Sequence, residues 1–153
     1  MSVAFRRESD DEHLEPKFEI PLPPGPNLVT ARGLAAIRAK VAELDAALAQ
    51  AAGDEARKAV RRDLKYWRTR ETTAEIAPIP DDCEVGFGSR VTYRLGAKEA
   101  IAELVGSDEA DPAAGRIAFT SPLAQALIGL TVGESDAFGG REVSVVATQP
   151  IAA

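Results

Sequence analysis

Between Thr30 and Gln50 the apolar residues Leu34, Ile37, Val41, Leu44 and Leu48 alternate spacings of three and four, the repeat of a packed helical seam. Thr30 is the predicted N-cap. A second series, Val60, Leu64, Trp67 and Ala74, continues the pattern until Pro78 forbids a helix. Gly53 and the acidic pair Asp54-Glu55 separate the two series, which predicts an antiparallel two-helix coiled-coil hairpin with its tip there. Each arm of about 22 residues reaches roughly 33 Å at the rise of an α-helix. Such a rod has too little surface to be a core by itself.

From residue 84 the period changes. Apolar or alternating runs at 85–95, 99–105, 116–119 and 142–148 are punctuated by glycines, the pattern of short strands joined by turns. One helix interrupts them. Ser121 is placed to accept hydrogen bonds from its first free amides, Pro122 occupies the first helical position, and Gly129 closes the far end. Only Gln125 is polar between Leu123 and Ile128, so part of this helix is expected to face a partner. The expected fold is α+β: a hairpin over 30–77, then a mainly antiparallel β domain with one short helix over 78–153. Residues 1–29, charged and then Pro-rich, read as an extended or disordered acidic tail.

Composition narrows the chemistry. Cys83 and His13 are the only cysteine and histidine of the 153 residues, which removes a disulfide framework, a cysteine zinc site and a histidine-based triad; a reducing cytoplasm is the expected compartment. No segment has the length and apolarity of a membrane span. The net charge of −6 is uneven. Residues 1–29 carry three basic and six acidic side chains, 30–76 ten and seven, and 77–153 five and eleven. A mildly basic middle joined to an acidic end does not suit free duplex DNA and suits a protein partner of mixed charge. Asp108-Glu109-Ala110-Asp111 spells a helicase signature, but no phosphate-binding GxxxxGK[ST] loop accompanies it and the chain is too short for paired nucleotide-binding domains.

The hairpin followed by Phe87-Gly88-Ser89, Val105 to Pro112, Gly115-Arg116-Ile117, Ser121 to Gly129 and Val132-Gly133 resembles the GreA/GreB family of bacterial transcription elongation factors. Thr30 to Leu34 is similar to the start of that family's first helix. The resemblance implies an FKBP-like C-terminal domain docking at the rim of the RNA polymerase secondary channel, with the hairpin directed inward. It also implies a monomer that needs no cofactor or metal of its own, indirect contact with nascent RNA, and a docking face comprising Asp108, Glu109, Asp111, Ser121, Pro122, Leu123 and Leu127. The family's cleavage motif has acids three residues apart at the tip, whereas here Asp54 and Glu55 are adjacent. The arms are also shorter by several turns than those of cleavage factors. Both departures are similar to the short-hairpin branch represented by Rnk, and they give the expectation of a non-enzymatic regulator. Transcript cleavage through Asp54 and Glu55, and a peptidyl-prolyl isomerase lined by Phe87, Tyr93, Phe119 and Phe138, are the alternatives.

Two readings of the second helix stay open. Arg57, Arg61, Lys65 and Arg68 form a stripe that faces RNA or polymerase acids in the channel, or a solvated flank paired with Glu43, Asp45 and Asp63. Tyr66 and Trp67 suit base stacking or, for Trp67 at a seam position, core packing.

Overall fold

The computed structural model describes residues 19–152, so most of the expected tail lies outside the described residues. Among the described residues, seven strands and three α-helices follow in the order β1 (Leu28–Val29), α1 (Ala31–Gln50), α2 (Asp54–Thr73), β2 (Glu75–Ile76), β3 (Ser89–Leu95), β4 (Lys98–Val105), β5 (Arg116–Ala118), α3 (Pro122–Leu127), β6 (Ser135–Phe138) and β7 (Arg141–Pro150). The α+β class expected from the periodicities is the one found. The chain forms two compact units that cut across its order. Residues 19–24 join Arg38–Thr72, while Gly25–Ile37 join the described chain from Thr73 onward.

Helices α1 and α2, most of whose residues lie in the first unit, are each 20 residues long, about 30 Å. Arg38 pairs with Glu71 at 3.6 Å and Asp45 with Arg68 at 2.5 Å. Partner numbers that fall as the first rise mark an antiparallel hairpin. Leu44 and Leu64 are buried here, at two of the predicted seam positions. Ala74, assigned to the seam from spacing, lies just past the end of α2.

In the second unit the sheet order is β5-β4-β3-β7-β6, antiparallel except for the parallel pair β4–β5. Alternation along β3, β4 and β7 delivers Val91, Ala102, Leu104, Val143 and Val145 to one face, and Ala124 and Leu127 of α3 close the core over them. Complete burial of a leucine such as Leu127 contributes about 2 kcal/mol. The Ser121 cap forms as its sequence requires: Oγ accepts the Ala124 N–H at 3.4 Å, and Pro122 starts the helix. The apolar side of α3 is therefore spent mainly on this core.

Two-residue strands β1 and β2 pair in parallel, Leu28 opposite Glu75 and Val29 opposite Ile76. Their neighbour is Gly106, at the end of β4. A Cβ at Gly106 would stand 2.3 Å from the Leu28 carbonyl oxygen, so only glycine admits this approach.

Candidate functional site

Phe119 donates its N–H to the Val105 carbonyl at 2.8 Å, which brings the start of the acidic turn and the Ser121 cap to one end of the parallel pair. Asp111 lies farther back along β5, where its carboxylate meets Arg116 at 3.5 Å. Pro122 and Asp111 are exposed, and Asp108, Ser121 and Leu123 are partly so. Leu123 also packs against the core. Leu127, expected on the docking face, is fully buried between α3 and the sheet, so no partner can touch it.

Glu109 has internal partners. Its Oε1 accepts the Thr30 hydroxyl at 2.7 Å and its Oε2 accepts Arg32 Nε at 2.5 Å, leaving its side chain 9% exposed. Thr30 also accepts the Gly33 N–H on the same oxygen, at 2.9 Å, which makes it the predicted N-cap. The Glu109 carboxylate thus sits at the positive end of α1. A second arm of Arg32 reaches Glu103 at 2.9 Å, and the other Glu103 oxygen meets Arg90 at 3.3 Å. Burial lowers the pKa of Arg32, but the hydrogen bonds and charges of Glu109 and Glu103 outweigh that and hold it above the ordinary value. Arg32 and Glu103 carried no role in the sequence reading, because the Arg32–Glu109 contact spans 77 positions. The only local signal was the Thr30-Ala31-Arg32-Gly33 start of α1.

At the hairpin tip Asp54 and Glu55 occupy the first turn of α2, behind Gly53, whose φ of +88° needs glycine. Both acids are exposed. Adjacent helical positions point about 100° apart, so the pair does not converge on one ion. Among the described residues no three His, Cys, Asp or Glu side chains gather as a metal site. Along the same helix Lys65 pairs with Glu19 and Arg68 with Asp45, each at 2.5 Å, whereas Arg57 and Arg61 make no ion pair among the described residues. Glu43 turns to Lys40 on its own helix, at 3.2 Å. Tyr66 and the half-buried Trp67 meet edge to face, their centroids 5.2 Å apart. Of the four aromatics assigned to an isomerase pocket, Phe87 and Phe119 form another edge-to-face pair, while Tyr93 and Phe138 pack against the core.

Residues 80–145 match the family model described as transcription elongation factor, GreA/GreB, C-terminal domain. Transcription elongation factor GreA of Pseudomonas aeruginosa is 34% identical over 76 residues, covering 48% of this chain and 48% of that protein. GreA of Rhodopseudomonas palustris is 40% identical over 75 residues, covering 48% and 46%. The chain thus spans about half the length of these curated relatives. Among solved structures, GreA factor homolog 1 (Gfh1) of Thermus thermophilus aligns with 80% of this chain and 97% of its own, at 21% identity and a TM-score of 0.38. A GreA/GreB factor from Nitrosomonas europaea aligns at 22% identity with the same TM-score, covering 80% and 98%.

These relatives correct the expectation of a non-enzymatic regulator. They are named for GreA, a transcript-cleavage factor, and the hairpin features that suggested a separate branch lie outside residues 80–145. Over residues 80–145, the chain is similar to the C-terminal domain of the GreA/GreB transcription elongation factors.

Proposed function

We propose that the protein is an RNA polymerase-binding elongation factor that docks through its C-terminal domain at the secondary channel. The family match over residues 80–145 carries this reading. The docking face consists of Asp108, Asp111, Ser121, Pro122 and Leu123; Glu109 acts behind it by holding the acidic turn to α1. Exposed Pro122 opens a helix whose remaining apolar side chains are largely committed to the core, so it is the position to test. Pro122→Asp places an acid in the first turn, which α3 tolerates electrostatically, and it confronts a partner with a new charge. Binding to purified polymerase should weaken about tenfold or more while the melting temperature holds. Unchanged binding for both Pro122→Asp and the Asp108→Ala/Asp111→Ala double variant would remove this face from the interface.

A second reading, stimulation of transcript cleavage by the tip, is favoured by the names of the relatives and by the exposure of Asp54 and Glu55 at the head of α2. Because the two carboxylates diverge, only one of them faces the reacting RNA. Backtracked elongation complexes should then lose accelerated 3′ cleavage with one of Asp54→Ala or Glu55→Ala and retain it with the other. Equal, complete retention in both variants excludes a role for the tip acids.

A further inference from the structure

Two of the four aromatic side chains expected to line a pocket are left over by the core. Tyr93 and Phe138 pack against it, but Phe87 and Phe119 are each half-buried, and among the described residues neither joins the core that α3 closes. Their rings meet each other instead, edge to face, with centroids 5.2 Å apart and planes at 81°. The backbone fixes where this happens. Gly88 donates its N–H to the Leu104 carbonyl at 2.8 Å, and Phe119 donates to the Val105 carbonyl at 2.8 Å. The two phenylalanines therefore flank the end of β4, one from the side of β3 and one from the side of β5. The acidic turn leaves from that same end. The Gln125 side-chain amide donates to the Phe119 carbonyl at 2.7 Å, which ties Phe119 to the first turns of α3.

Stiff aromatic side chains set beside polar groups are the usual anchors of protein interfaces, because they offer a large contact area and lose little side-chain freedom on binding. The charges around this pair select its partner. Residues 77–153 carry eleven acidic and five basic side chains, and Asp108, partly exposed, follows Val105 by three positions. Nucleobases stacked on the rings would bring phosphates into that negative field, which disfavours a nucleic acid. Lysines or arginines around an apolar side chain match both the acids and the rings. We propose that the Phe87–Phe119 pair is the apolar anchor of the docking face, and that it receives an apolar side chain of the polymerase set among basic residues that meet Asp108. The assignment rests on polymerase docking through the C-terminal domain and names the kind of surface recognised there. It also supplies apolar contact that the face otherwise lacks, since Leu123 is shared with the core and Pro122 is small.

Equilibrium binding of the full chain to purified polymerase, at low and at high salt, tests the anchor. Phe119→Ala and Phe87→Ala, on opposite sides of β4, should each weaken binding about tenfold or more, and by the same factor at both salt concentrations, because apolar contact is not screened. Phe119→Leu keeps an apolar side chain and should recover most of the loss. Asp108→Lys should weaken binding most at low salt. Unchanged affinity in both alanine variants, with Pro122→Asp still weakening binding, would remove the anchor and leave the docking face standing; unchanged affinity in all three would remove both. A Phe119→Ala loss that fades in high salt would trace to displaced acids rather than to an apolar contact, and the proposal would fail. A labelled single-stranded oligonucleotide that binds the full chain and is released by Phe119→Ala would assign the rings to nucleobases and overturn it as well.

Discussion

The acidic turn at residues 106–111 and the hairpin tip at residues 51–55 resemble each other as sequence, since each sets a glycine shortly before consecutive acids. Their surroundings separate them. Gly106 is pressed against the backbone of β1, and Glu109 is enclosed by Thr30 and Arg32. Gly53 has open space around its Cα, and Asp54 and Glu55 point into solvent. One acidic loop is a joint within a folded unit, and the other is a free end available to a partner. Acidity alone therefore does not separate the two loops; the number of internal partners does.

The contrast can be broken most severely at the glycines. Gly106→Ala drives a methyl group into the Leu28 carbonyl and should cost about 3 kcal/mol in urea unfolding. Gly53→Ala meets no atom, but it forces a side chain into left-handed backbone, for about 1 kcal/mol. If both cost the same, β1 does not press on the turn.

The acids come next. Glu109→Ala leaves Arg32 half-paired and frees the start of α1, and should destabilise the fold by about 2 kcal/mol, discounted for the partial exposure of Arg32. Glu55→Ala should change stability by about 0.5 kcal/mol or less, the scale of an exposed charge near a helix end. A Glu55 effect matching that of Glu109 would erase the distinction between joint and free end.

Glu134 stands between these cases, being fully exposed yet accepting both the N–H and the hydroxyl of Thr131 at 2.8 Å. Those hydrogen bonds hold its carboxyl below the ordinary value of 4.5. A depressed folded-state pKa gives a contribution complete above 4.5 and lost as pH falls through the lower folded value. Glu134→Gln should therefore shift the melting temperature slightly at neutral pH and not at all once the acid is protonated. A shift that persists in acid would locate its role in packing instead.

What could be read from the sequence follows from how local its cause was. The helical seams, the Ser121-Pro122 start of α3 and the alternation of β3 and β4 are written within a few residues of where they act. Strand β6, Ser135 to Phe138, was missed because it shows no run of β-branched residues and owes its existence to pairing with β7. Strands β1 and β2 were hidden by their brevity and by the prolines around them. The place of Pro122 at the start of α3 was legible from its motif, whereas Leu127 was assigned to the surface because an apolar helix looks the same whether it packs inward or meets a partner. Glu109 was expected on a docking face, but its bond to Arg32 depends on a fold that unites distant stretches of chain.

Residues 38–72 are enclosed in sequence by the two stretches, 25–37 and 73 onward, that build the other unit. In genetic terms the hairpin is an insert and the sheet its host. A deletion or duplication of whole helical turns near the tip alters the insert while every host residue, from Asn27 to the Glu103–Arg32–Glu109 contacts, is inherited intact. A break placed ahead of residue 80 is different, because it discards β1 and the counter-charge of Glu109. Recombination between relatives can thus exchange tips freely, but it must transmit the host as two linked segments.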